Sequence, residues 1–64
     1  MPMIRVEMFA GRSAEQKKTL IKSLTKATSE AIGVSEASVD VVITEVAKEN
    51  WGLGGEPASE KFPD

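Results

Sequence analysis

The chain has 64 residues, with 8 basic against 10 acidic side chains, a net charge of −2 and a pI near 5.1. Histidine, cysteine and tyrosine are absent, which excludes imidazole general bases and Ser-His-Asp triads, leaves no disulfide or thiolate site and disfavours zinc or copper. The acidic balance argues against a nucleic-acid module, no apolar run approaches the ~20 residues that span a bilayer, and no basic stretch leads into an apolar signal-peptide core, so a soluble cytoplasmic protein is expected.

Met1 to Phe9, MPMIRVEMF, alternates strictly: Pro2, Ile4, Val6 and Met8 on one side, Met3, Arg5, Glu7 and Phe9 on the other. That period of two predicts a strand with one fully apolar face, and proline is tolerated at its start because no ladder donor is needed there. After the break at Ala10-Gly11-Arg12, Ser13 and Gln16 stand at the spacing of a capping box. Leu20, Ile21, Leu24, Ala27, Thr28, Ala31 and Ile32 then recur at helical spacing, with lysines opposite. Gly33 suits a left-handed stop, so a helix is predicted from about Ala14 to Ile32.

Ser38 to Val46, SVDVVITEV, is β-branched and apolar on both faces, which predicts burial on both sides. One helix covers only one face, so the other needs a second subunit. Strand, helix and strand make a βαβ unit with parallel strands and a right-handed crossover. Asn50 to Pro57, with three glycines and a proline, reads as a turn or short hairpin, and Ala58 to Asp64 as a tail. The expected architecture is one α/β domain over 1–64: a single βαβ unit with a short C-terminal hairpin, its sheet completed by dimerisation. Ordering a chain of this length costs on the order of 100 kcal/mol, and so short a domain buries only about 60% of its unfolded surface. Oligomerisation is the remaining staple.

Pro2 is the most informative residue. Removal of Met1, favoured when a small residue follows, leaves a secondary amine that can accept a proton. An apolar pocket or a nearby cation lowers such an amine's pKa toward the value that proton abstraction beside a carbonyl needs. Alone, Met-Pro also reads as a stiff strand start.

Four blocks carry a resemblance: Pro2 itself, the G-R-S-x-E-Q-K run from Gly11 to Lys17, V-I-T-E-x-A-K from Val42 to Lys48, and Gly52-Leu53-Gly54-Gly55-Glu56. Through them the chain resembles the 4-oxalocrotonate tautomerase family over roughly Pro2 to Glu56. The resemblance implies a βαβ subunit that pairs into dimers and assembles as a homohexamer. It implies a tautomerase in which the N-terminal proline shuttles a proton between the oxygen and carbon ends of a dienol or enol, with no metal or organic cofactor. The implied partner is a small 2-oxo or 2-hydroxy acid: 2-hydroxymuconate, a smaller 2-hydroxydienoate, or an arylpyruvate enol.

The same resemblance assigns candidate roles. Arg12 matches the arginine that grips a substrate carboxylate, a task suited to the planar guanidinium fork. It also follows the first strand directly, at the carboxyl end where open α/β sheets place ligands. Trp51 matches an aromatic of the pocket wall, and is equally readable as an interface anchor. Phe9 matches an apolar pocket position and Ser38 a position beside the substrate. Asp40 departs from the pattern: relatives matched to dicarboxylates carry a second arginine there, supplied by a neighbouring subunit. Aspartate reverses that charge, which favours a monocarboxylate if it faces the pocket; otherwise it is a solvated strand residue. Leu53 and Phe9 replace the glutamate and arginine of dehalogenating relatives, which disfavours hydrolytic dehalogenation; a promiscuous hydratase or dehalogenase on the same scaffold is one alternative. A non-catalytic oligomeric binding subunit is the other alternative, with Pro2 and Arg12 against it and Asp40 for it.

Overall fold

The computed structural model describes residues 1–63. Its elements are β1 (Met3–Phe9), α1 (Ala14–Ile32), a 3-10 turn (Glu36–Ser38), β2 (Asp40–Val46), a second 3-10 turn (Lys48–Asn50), β3 (Gly52–Leu53), β4 (Glu56–Pro57) and α2 (Ala58–Lys61). β1 and β2 are parallel, in a register that sets Met3 against Asp40 and Phe9 against Val46. The expected βαβ unit is therefore present, with the expected hairpin, β3 against β4, behind it.

Local chemistry explains where α1 begins and ends. The Ser13 hydroxyl accepts from the Gln16 N–H at 3.1 Å, and the Gln16 side chain accepts from the Ser13 N–H at 2.9 Å. Both bonds of the capping box are made, offsetting two of the orphan donors at the helix start. Gly33 stops the helix at φ 73°, a left-handed conformation that costs glycine nothing. In the hairpin, Leu53 pairs with Glu56 across Gly54 and Gly55, whose φ values are 62° and 91°. Two successive positive φ values are what a two-residue hairpin turn requires.

Two boundaries differ from the sequence reading. Ser38 lies in the 3-10 turn, its hydroxyl donating to the Ser35 carbonyl at 2.8 Å, so β2 starts at Asp40. Ala58, read as the start of a tail, opens α2 and is wholly buried. Its N–H donates to the Trp51 carbonyl at 2.7 Å, a tertiary bond with no local sequence signature. The rest of the predicted tail includes Asp64, outside the described residues.

The layers are unequal. Ile4, Val6, Met8, Val41 and Ile43 are half-buried on the side covered by α1. The opposite side carries Met3, Arg5, Glu7, Val42 and Thr44, all exposed. Met3 is 49% exposed and Val42 40%. The molecule is a slab 42 × 25 × 13 Å. Its accessible surface is 4748 Å², against about 4000 Å² for a compact monomer of this mass. Its radius of gyration is 14.7 Å, against about 11 Å for a compact domain of this length. Among the described residues Ala58 is the only fully buried apolar side chain.

Candidate active site

A seven-residue strand at ~3.3 Å per residue is about 23 Å long. Position 2 and position 12 therefore lie at opposite ends of β1. The six candidate residues divide between those ends.

Pro2, Ser38 and Asp40 stand where the strands begin. The Pro2 carbonyl accepts from the Asp40 N–H at 3.0 Å, which extends the ladder one bond beyond the Met3–Asp40 pair. Pro2 is half-buried and Asp40 is exposed. The resemblance implies that Asp40 acts from a neighbouring subunit; in this structure its backbone also adjoins Pro2 of its own chain.

Phe9, Arg12 and Trp51 stand where the strands end. The Phe9 and Trp51 rings meet edge to face with centroids 4.7 Å apart, a favourable geometry for ring quadrupoles. A cleft of about 320 Å³ is lined by Phe9, Ala10, Gly11, Arg12 and Lys48. Arg12 is exposed and forms no ion pair among the described residues, where the only such pair is Lys17–Glu45. Because α1 runs back over the sheet, its N-terminus lies at this end, and its dipole adds positive potential here.

Two residues at this end escaped the sequence reading as site components. The Lys48 ammonium sits 5.8 Å from the Phe9 ring centroid and donates to the Phe62 carbonyl at 2.9 Å. The Phe62 ring lies 6.4 Å from that of Phe9. Lys48 closes a run already quoted as a motif, so its position was visible and its role was not; Phe62 fell in the predicted tail. Nearby, Lys17 Nζ donates to Glu45 Oε1 at 2.9 Å. That hydrogen bond holds the Glu45 carboxyl below its ordinary range, with the lysine charge and the Gly11 N–H acting in the same direction. The contact ties α1 to β2 beside the loop that carries Arg12.

Among the described residues no group of three His, Cys, Asp or Glu could hold a metal ion, and no helix is long and apolar enough to cross a membrane. One chain thus offers a Pro2 end and a cation-and-ring end, about a strand's length apart. Trp51, expected near Pro2, is far from the Pro2 of its own chain.

A family model described as "Tautomerase enzyme" matches residues 2–61. A 2-hydroxymuconate tautomerase of Comamonas testosteroni is 48% identical over 60 residues, covering 94% of this chain and 95% of the relative. Among solved structures, a 4-oxalocrotonate tautomerase isozyme from Methylibium petroleiphilum superposes with a TM-score of 0.90 at 39% identity, covering 95% of this chain and 98% of that one. A heterohexamer 4-oxalocrotonate tautomerase from Chloroflexus aurantiacus gives 0.89 at 38% identity, covering 94% and 97%.

Proposed function

The chain belongs to the tautomerase family and is an isomerase, and from that premise we propose that it interconverts enol and keto forms of 2-oxo acids with Pro2 as its proton shuttle. The observation that carries the reading is the split of chemistry between the strand ends. A base without a carboxylate holder cannot orient an anionic substrate. A holder without a base cannot move its proton. Both functions are completed if the Pro2 end of one subunit abuts the Arg12 end of another.

In that arrangement Met1 is removed and the neutral Pro2 amine faces the substrate. The nitrogen takes the enol hydroxyl proton. The O–H electrons become the carbonyl bond, the conjugated double bond shifts, and the distal carbon takes the proton back from the ammonium. Arg12 grips a substrate carboxylate and draws electron density toward it. The Phe9–Trp51 pair excludes water, which keeps the amine's basicity low enough for both steps. Ser38 lies beside the bound acid. The chemistry so described uses only the chain's own groups.

The bare sheet face and the excess surface support an assembly larger than a monomer, and the heterohexameric relative from Chloroflexus aurantiacus supports six subunits. The proposed form is a homohexamer. Sedimentation at micromolar concentration tests it: a stable monomer there overturns the shared site along with the assembly.

The activity test is direct. Intact mass first establishes that the chain begins at Pro2. The processed protein should then convert 2-hydroxymuconate or phenylenolpyruvate, followed by ultraviolet absorbance. Retention of Met1 should remove the activity, because an amide nitrogen has no lone pair to offer. Equal rates with and without Met1 would place the base elsewhere.

A further inference from the structure

We infer that Lys48 is a positioning residue of the Arg12 cleft: its ammonium clasps the C-terminal segment and so fixes the Phe9 ring that lines the cleft beside Arg12. The inference rests on the reading of Arg12 as carboxylate holder and extends it to the wall that the arginine works against.

Three hydrogen bonds close a circuit behind the cleft. The Ala58 N–H donates to the Trp51 carbonyl at 2.7 Å, the Phe62 N–H to the Ala58 carbonyl at 2.7 Å, and the Lys48 ammonium to the Phe62 carbonyl at 2.9 Å. Lys48 opens the 3-10 turn that follows β2, and Trp51 closes it, its N–H donating back to the Lys48 carbonyl at 3.2 Å. The C-terminal segment is therefore tied to this turn at both of its own ends. The ties at Trp51 and Ala58 run between backbone groups and are indifferent to side-chain identity. The tie at Phe62 is donated by the Lys48 side chain, and an ammonium donor makes it a charge-assisted bond.

Phe9 meets both ends of the circuit. Its ring lies 4.7 Å from that of Trp51 and 6.4 Å from that of Phe62. The Lys48 ammonium is 5.8 Å from the Phe9 centroid, within the ~6 Å over which a ring attracts a cation. Phe9, Arg12 and Lys48 all line the cleft of about 320 Å³. Burial does little to hold the far ring, because Phe62 is 46% exposed and α2 is four residues long. Loss of the Lys48 tie frees that segment and takes from Phe9 both its cation and one ring neighbour. The cleft then keeps Arg12 but loses its fixed wall. Such a change weakens the hold on substrate before and during the reaction alike, so it raises KM and leaves kcat nearly unchanged.

The experiment uses the full-length processed protein with phenylenolpyruvate as substrate, and reads Trp51, the chain's single tryptophan, by acrylamide quenching of its fluorescence. Lys48→Met should raise KM about 2- to 5-fold, the range of a solvent-exposed cation–π contact, and should make Trp51 easier to quench. Lys48→Arg should restore both, because a guanidinium also donates to a carbonyl and stacks on a ring. Lys26→Met, at an exposed position in α1, removes the same charge elsewhere and should move neither. In a Phe62→Ala background, K48M should add less than it does in the wild type, since the ring that the tie positions is gone. Wild-type KM and quenching in K48M overturn the inference, as does a K26M effect equal to that of K48M, a K48R chain as impaired as K48M, or full additivity with F62A. Should K48M fail to fold, F62A alone decides: it should raise KM and quenching, and unchanged values overturn the inference. The reading of the reaction fails separately: a wild type without turnover overturns that reading, while quenching in K48M and K48R still reports on the clasp.

Discussion

Pro2, Ser38 and Asp40 occupy the end where the two long strands begin; Phe9, Arg12 and Trp51 occupy the end where they finish. The first end is sparse: a half-buried ring, an exposed carboxylate and a turn. The second is built: two aromatic rings at 4.7 Å, a lysine 5.8 Å from one of them, and Ala58, the only fully buried side chain among the described residues, whose backbone N–H bonds to the Trp51 carbonyl. The contrast follows from topology. A parallel βαβ unit sends its connections to opposite ends, and here the C-terminal hairpin and α2 fold back on the finishing end alone. Among the described residues neither the hairpin nor α2 covers the starting end, which is the gap that the proposed assembly would fill. That is why one chain holds the proposed reactive amine in one place and the pocket wall in another.

The sharpest way to break this comparison is to disable each end separately and then mix the chains. Pro2→Ala keeps an N-terminal amine but replaces the ring's secondary amine with a primary amine of different basicity and geometry. Its turnover should fall at least 10-fold, and up to ~100-fold, the lower range for a positioned general base. An unchanged kcat in processed P2A would detach the chemistry from the starting end. Arg12→Gln removes an ionic hydrogen-bond partner worth about 1.5–3 kcal/mol. kcat/KM should therefore fall roughly 10- to 150-fold. When P2A and R12Q chains are unfolded together and reassembled, about a quarter of the sites should combine an intact Pro2 with an intact Arg12 from the two kinds of chain, given random symmetric assembly. Recovered activity in the mixture shows that the ends belong to different subunits. No recovery means that each chain completes its own site.

Smaller effects sharpen the picture of the built end. Ser13 follows Arg12 directly and caps α1. Ser13→Ala should cost about 1 kcal/mol of stability, or roughly 4–8 °C in Tm for a domain of this size. Because the cap sits at the Arg12 end, S13A should raise KM more than it lowers kcat. Equal loss of both would mean that the loop does not orient the arginine.

The sequence was most legible where the chemistry is local. β1 begins one residue after Pro2, and α1 spans the predicted Ala14–Ile32 because its start and stop are each fixed by a nearby side chain or a glycine. The hairpin was visible in its paired glycines. α2 was not, because four residues, ASEK, carry no helical pattern; a bond to the Trp51 carbonyl makes them a helix. At the candidate site, the identities of Pro2, Arg12 and Trp51 were readable as a resemblance, and so was the separation of Pro2 from Arg12. Placing Arg12 at the strands' carboxyl ends already implied that Pro2, at the amino end, lay a strand's length away. The resemblance names the groups proposed to cooperate, while strand length sets Pro2 and Arg12 of one chain about 23 Å apart. Lys48 and Phe62 went unread for the converse reason: their partner, Phe9, is distant in sequence.

The finest probe of the built end is the ion pair that braces it. Lys17 and Glu45 meet at 2.9 Å with side chains 30% and 31% exposed, so solvent and salt screen the pair and its contribution is small. Its sign is nonetheless fixed. The hydrogen bond from Lys17 lowers the Glu45 pKa from an ordinary 4.5, so the folded state holds the ionised form better than the unfolded chain does. The stabilisation is fully present above about 4.5 and is lost as pH falls through the lowered folded-state value. Glu45→Gln cannot ionise and lacks this contribution at every pH. The Tm of the wild type should therefore exceed that of E45Q by a small margin at neutral pH. The margin should shrink with added salt and close as the pH drops below 4.5. A margin that persists at low pH would assign the effect to neutral packing between α1 and β2. A margin that closes, accompanied by a modest rise in KM for E45Q at neutral pH, would show that the brace also steadies the Gly11-Arg12 loop.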